Sequence, residues 1–285
     1  MNNDDESILR ESYLTLLKKN LIDIIHCEKF EYIPVPTDHA GSLNQILLKL
    51  LAIYLKKKDY HIVKEIPVNL EDRLVGKGSW PKYAETMCGL ARLNNLQQCV
   101  ENTIKNGITG DLIETGVWRG GSTILMRAIL KSYGIKDKLI WVADSFEGLP
   151  APDKKKYPAD SDSLYHTFSE LSVSMDDVKN NFSKYDLLDE QVKFLKGWFK
   201  DTLPTAPIKK LSVLRLDGDM YEATMDALVN LYSKLSVGGY IIIDDYLCVE
   251  GCRKALSDFR GKHNITEEIK PVDWTCAYWQ KTKEI

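Results

Sequence analysis

From Ile8 to Cys27, ILRESYLTLLKKNLIDIIHC places apolar residues three and four apart, as the buried stripe of one helix requires. The same spacing returns from Leu43 to Leu55. Between them EYIPVPTDHAGS is rich in proline and polar residues, which predicts a break. A third helix is predicted over YAETMCGLARLNNLQQCVENTIKN, Tyr83–Asn106. The front of the chain therefore reads as helical, without internal repeats or low-complexity tracts.

After Gly110 the rhythm changes. Strand-like apolar runs alternate with amphipathic stretches: DLIETGV then STILMRAILKSYG, KLIWVADS then SMDDVKNNFSKY, QVKFLKG, LSVLRLD then EATMDALVNLYSKL, GYIIIDD then CRKALSDFRGK. Such alternation predicts an α/β fold, a doubly wound and mostly parallel sheet of about seven strands with helices on both faces. A last run, WTCAYWQKT, has no helix after it and predicts an antiparallel strand at one edge. In sheets of this kind ligands sit beyond the carboxyl ends of the strands, where the strand order reverses.

Composition narrows the classes only a little. With 44% hydrophobic and 28% charged residues the chain has an ordinary globular balance. A net charge of -3 gives no electrostatic argument for nucleic acid or an anionic membrane. Runs such as QILLKLLAIYL are interrupted by lysine and fall short of the roughly 20 residues of a membrane span. The acidic amino terminus MNNDDESILRES is unlike a signal peptide. Cys27, Cys88, Cys99, Cys248, Cys252 and Cys276 form no CxxC pair, which favours reduced thiols and a cytoplasmic location. Cys248 and Cys252 stand four apart but lack a second Cys/His pair.

Chemistry concentrates where strands end. In IETGVWRGGST a strand gives way to Gly116, Gly120 and Gly121, and a helix opens near Ser122 or Thr123. This departs from both G-x-G-x-x-G and the P-loop, so it suits a ligand built of adenosine and an amino acid better than a dinucleotide. A plain tight turn is the alternative. Asp144, at the end of the next strand, can accept both hydroxyl protons of a ribose, or it can cap a helix with Ser145. KGWF offers Trp198 and Phe199 as a wall for an adenine ring, or simply as core.

Asp217 and Asp219 alternate in LRLDGDM, and Asp244 and Asp245 end YIIIDD. One helix crossover separates the two segments, so the strands are parallel neighbours or nearly so and the acids share one sheet edge. Oxygen donors suit a hard divalent cation, Mg2+ by default. The alternative is that these acids cap helices or pair with Arg215, Arg253 or Lys254. Residues 150–172, PAPDKKKYPADSDSLYHTFSELS, are long and polar and suit a lid over the ligand. His166 lies within that segment.

Together DLIETGVWRGG, DSFEGLP, GWFKDTLP, LRLDGDMYEAT and GGYIIIDDY strongly resemble the macrocin O-methyltransferase family. The likeness runs from about Gly78 to the carboxyl terminus and divides the chain into a helical extension, 1–77, and a catalytic domain, 78–285. It implies a class I, Rossmann-like methyltransferase that uses S-adenosylmethionine and Mg2+ to methylate a hydroxyl of a sugar or glycoside. It further implies that Asp217, Asp244 and Asp245 hold the metal and that Asp219 is the general base. Cofactor contacts are implied at Thr86, Met87, Glu114, Thr115, Gly116, Val117, Trp118, Ser122, Asp144, Ser145, Gly197 and Trp198. The first sixty or so residues and the lysine-rich lid match the family loosely, leaving open the acceptor, among glycosides, nucleotide-sugars and surface polysaccharides. The front helices could dock on the core, cover the site or form a homo-oligomer contact. A metal-dependent glycosyltransferase and a non-catalytic nucleoside-binding module are the competing functions.

Overall fold

The computed structural model describes residues 3–25, 30–34, 43–78 and 80–285, with side chains described over most of that span. The front comprises α1 (Asn3–Leu21), β1 (Phe30–Pro34), α2 (Leu43–Lys56), β2 (Val63–Pro67), α3 (Leu70–Val75) and α4 (Leu90–Lys105). The predicted first helix stops before Cys27, which lies outside the described residues. Its stripe is as predicted: Leu14, Leu17 and Leu21 are buried, whereas Ile8 and Leu16 face outward. These leucines join the same core as α4 and α5 (Gly121–Ser132).

Two expectations for the front need correction. It is not wholly helical, because β1 and β2 pair antiparallel from Phe30↔Pro67 to Pro34↔Val63. The third helix begins at Leu90, not Tyr83. Gly89 is its N-cap, where an added Cβ would lie 2.4 Å from the Val75 carbonyl carbon. The chain from Tyr83 to Cys88 is held as a loop instead. The Arg119 guanidinium donates to the carbonyls of Pro81, Lys82 and Ala84, and the Gly121 N–H to that of Glu85.

The main sheet continues through β3 (Asp111–Thr115), α5, β4 (Ile140–Asp144), α6 (Met175–Lys184), β5 (Val192–Lys196) and α7 (Phe199–Thr202). It closes through β6 (Leu211–Leu216), α8 (Tyr221–Leu231), β7 (Leu235–Ile243), α9 (Glu250–His263), β8 (Lys270–Pro271) and β9 (Ala277–Gln280). Its seven strands lie in the order β5-β4-β3-β6-β7-β9-β8, and the first five of these are parallel. The order reverses between β3 and β6, as the doubly wound prediction requires. β9 is antiparallel to β7 as expected, but the edge itself is the two-residue β8.

Strand alternation divides the core into two layers. Leu112, Val142, Val213 and Ile242 face the layer of α1, α4, α5 and α6. Ile113, Trp141, Ala143, Leu214, Leu216, Ile241 and Ile243 face that of α8 and α9. Every residue of β6 is buried, which explains its near-continuous apolar run. By the same alternation, Glu114, Arg215, Asp217 and Asp244 point toward the α4 layer and Asp245 toward the other.

Candidate active site

A cleft opens beyond the carboxyl ends of β3 to β6. It is lined by Met87, Gly116, Trp118, Asp144, Ser145, Gly197, Trp198, Phe199, Asp217 and Asp219, with further residues from the lid and α8. Thr86, Glu114, Thr115, Val117, Ser122, Asp244 and Asp245 are buried behind that lining. His166 is exposed and outside it.

The two acid-bearing loops converge. Asp217, Asp244 and Asp245 each present a carboxylate oxygen within 4.8 Å of the others, the only such cluster of metal-ligating groups among the described residues. Between Asp217 and the helix, Asp219 takes a left-handed φ of +55°, which costs a non-glycine residue about 1–2 kcal/mol. The Asp219 N–H donates to Asp245 Oδ2 at 3.2 Å, fastening one acid loop to the other.

Their charges are compensated unequally. Asp244 is gripped on both oxygens, by Arg92 Nη1 on Oδ2 at 2.6 Å and by Arg215 Nη2 on Oδ1. Burial opposes its charged form, but the two guanidinium groups outweigh that and hold its pKa below the usual carboxylate value. Asp217 accepts from Arg215 Nη1 at 2.7 Å, yet burial and Asp244 raise it to about 6. Asp219 has no such cation: burial, then Asp217 and Asp244, push it up to about 8. Burial and the neighbouring acids Asp219, Asp217 and Asp244 raise Asp245 as well. A cluster that is compensated at one acid and repelled at the others is one that a divalent cation would relieve.

The pairing with Arg215 given as the alternative is therefore present for Asp217 and Asp244, and Arg215 also reaches Glu114 on β3. Register explains the contact, since Glu114 and Arg215 are partners in adjacent parallel strands. Replacing Arg215 by methionine strands Glu114 in the interior and leaves Asp244 with Arg92 alone. We expect that variant to lose about 3–5 kcal/mol of stability, read as the shift in a urea unfolding midpoint.

Arg215 holds Glu114 Oε1, and the Ser122 hydroxyl is its other polar neighbour. Burial, opposed by Arg215 and reinforced by Asp217 and Asp244, pushes its carboxyl up to about 8. A buried carboxylate has lone pairs beyond these contacts and fits a donor brought by a ligand, for example the ammonium of an amino acid. Asp144 does not cap a helix; it holds two loop N–H groups instead, that of Val117 donating to Oδ2 at 2.7 Å and that of Phe146 to Oδ1 at 2.8 Å. Carboxylate oxygens have further lone pairs, so Asp144, which lines the cleft, can still receive ribose hydroxyls. Trp118, Trp198 and Phe199 supply aromatic wall beside it.

Several residues here escaped sequence reasoning. Lys200 on α7 and Glu222 and Asp226 on α8 line the cleft. Tyr165 in the lid is near enough to Asp219 and Asp245 that burial, then their charges, push its hydroxyl up to about 12. Arg92 gave no sequence signal, because its acid partner lies 152 residues away.

Residues 10–281 match the family described as Macrocin-O-methyltransferase (TylF). The chain is 53% identical over 205 residues to demethyldecarbamoylnovobiocin O-methyltransferase of Streptomyces niveus, covering 72% of this chain and 78% of that one. It is 46% identical over 250 residues to 8-demethyl-8-(2,3-dimethoxy-alpha-L-rhamnosyl)-tetracenomycin-C 4'-O-methyltransferase of Streptomyces olivaceus, covering 86% and 95%. The solved structure of the O-methyltransferase NovP matches with a TM-score of 0.81 and 42% identity, over 96% of this chain and all (100%) of that one. Among the described residues no helix is long and apolar enough to cross a membrane. Sequence, sheet order and cleft agree: this chain belongs to the macrocin O-methyltransferase family.

Proposed function

We infer that this protein transfers a methyl group from S-adenosylmethionine to a sugar hydroxyl of a natural-product glycoside, with a divalent cation, Mg2+ by default, as partner. The observation that carries the reading is the convergence of Asp217, Asp244 and Asp245 beside Asp219 at a cleft also lined by Asp144 and Trp198. The rhamnosyl-tetracenomycin relative favours a finished glycoside over a nucleotide-sugar as acceptor.

Asp217, Asp244 and Asp245 would hold the cation. When bound, it supplies positive charge beside the acceptor oxygen and so favours loss of the hydroxyl proton. Asp219, next to the trio and facing the cleft, takes that proton as the oxygen–carbon bond forms and the sulfonium carbon–sulfur bond breaks. Glu114 would receive the ammonium of the methionine part, Asp144 the ribose hydroxyls, and Trp198 would flank the adenine. Met87 and Trp118 narrow the cleft and hold the donor in line for attack.

Calorimetric titration tests this directly. S-adenosylmethionine is expected to bind, and chelation with EDTA to abolish methyl uptake by glycoside acceptors, with Mg2+ restoring it. Undiminished turnover in EDTA would overturn the metal's part. Failure to bind S-adenosylmethionine, with binding of nucleotide-sugars in its place, would overturn the whole reading.

A further inference from the structure

The lid from Pro150 to Ser172 is fastened to the body at two places. Near its exit, Trp118 Nε1 donates to the Glu170 carbonyl at 2.8 Å, and Phe168 meets Trp80 edge-on with centroids 4.9 Å apart. Near its middle the contact is of another kind. The N–H of Tyr221 donates to Asp160 Oδ1 at 2.7 Å and that of Glu222 to Oδ2 at 3.3 Å. Tyr157 lies against the Tyr221 ring, with centroids 5.5 Å apart.

Tyr221 and Glu222 open α8. The first N–H groups of a helix have no partner within it, and a carboxylate there satisfies them and complements the helix dipole. α8 does not cap itself: Met220, at the N-cap position, makes no side-chain hydrogen bond. Its cap comes from the lid, 61 residues earlier in the chain. Asp160 is 3% exposed, and its backbone is fixed in the single turn Pro158–Asp160. The adjoining α9 makes room with a glycine, since a Cβ on Gly251 would come within 2.2 Å of Asp160 Oδ1.

The segment joining β6 to α8 is Asp217–Met220, the loop that carries two of the clustered acids. Whatever fixes the first turn of α8 therefore fixes one end of that loop. We propose that Asp160 is a positioning residue: its carboxylate latches the lid onto α8 and, through α8, holds the Asp217–Met220 loop in the form that completes the acid cluster. Closure over the cleft and completion of the metal site then become one event. The latch rests on geometry alone, and its effect on the metal rests on the function proposed above.

The lid carries its own reporter, because Lys154, Lys155 and Lys156 are exposed and trypsin cuts there when the segment lifts. In Asp160→Ala, cleavage at these lysines is expected to quicken by roughly five- to tenfold, the scale of a lost helix cap. Mn2+ affinity should weaken several-fold, while S-adenosylmethionine affinity stays within about twofold of wild type, because Asp160 lies outside the residues assigned to that ligand. Asp160→Asn keeps an acceptor oxygen and is expected to recover part of both losses. Gly251→Ala, which crowds the latch from α9 with Asp160 intact, should reproduce the pattern, and the double variant should be no worse than the more severe single one. Wild-type cleavage rates in Asp160→Ala would overturn the latch. Faster cleavage with unchanged Mn2+ affinity would overturn its coupling to the acids. Should Mn2+ fail to bind the wild-type protein, it is the metal reading that falls, and the latch stands or falls on the cleavage rates of the two single variants.

Discussion

Asp219→Asn is expected to slow methyl transfer by about 10²- to 10⁴-fold, the usual share of a positioned general base. Its binding of Mg2+ and S-adenosylmethionine should persist. Asp219 is the clustered acid that lines the cleft while standing outside the trio of convergent ligand atoms. Asparagine keeps the size and tolerates the left-handed backbone at φ +55°, and the N–H to Asp245 is a main-chain donor that the change leaves in place. What disappears is the capacity to accept a proton. Single-turnover methyl transfer, alongside calorimetry for the metal, checks both halves. Near-wild-type turnover with metal bound would remove Asp219 from the mechanism.

The second large effect is expected at Gly116. A Cβ there would lie 1.7 Å from the Asp217 carbonyl oxygen, and its φ of +86° is unfavourable for any other residue. The obstacle is backbone, which cannot rotate away as a side-chain tip would. Gly116→Ala must therefore push β3 and the Asp217 loop apart. The left-handed conformation costs about 1–2 kcal/mol and the overpacking about 1–3 kcal/mol more. A stability loss of about 2–5 kcal/mol together with weakened metal binding is the expected outcome, read from urea unfolding and Mn2+ titration of whatever fraction folds. A variant of wild-type stability would mean that the strand ends are not held as tightly as the geometry shows.

What could be read from the sequence was the part written in local pattern. Apolar runs ending in Asp144, Asp217 and Asp244–Asp245 declared both the strands and the end of the sheet where ligands sit. The β1–β2 pair was hidden because proline in EYIPVP reads as a break. In the fold Pro34 and Pro67 occupy strand ends, where a missing donor does least harm. The late start of α4 depends on Gly89 packing against Val75, a contact between segments that local spacing does not encode. Arg92 looked like any charge on a helix face, and Asp160 like one acid among several in a polar stretch. Each acquires its role from a partner far away in the chain.

Asp244 answers to α4 through Arg92 and to β6 through Arg215. The anion is thus already a structural strut before any cation arrives, tying a helical layer to the sheet that it covers. Neutralising that one position would leave Arg92 to Asp273 alone and Arg215 to Glu114 and Asp217, with the buried charges out of balance. Drift at 244 would therefore unsettle 92 and 215 together, so the charge of the acid cluster and the seating of α4 on the sheet are kept by the same three side chains.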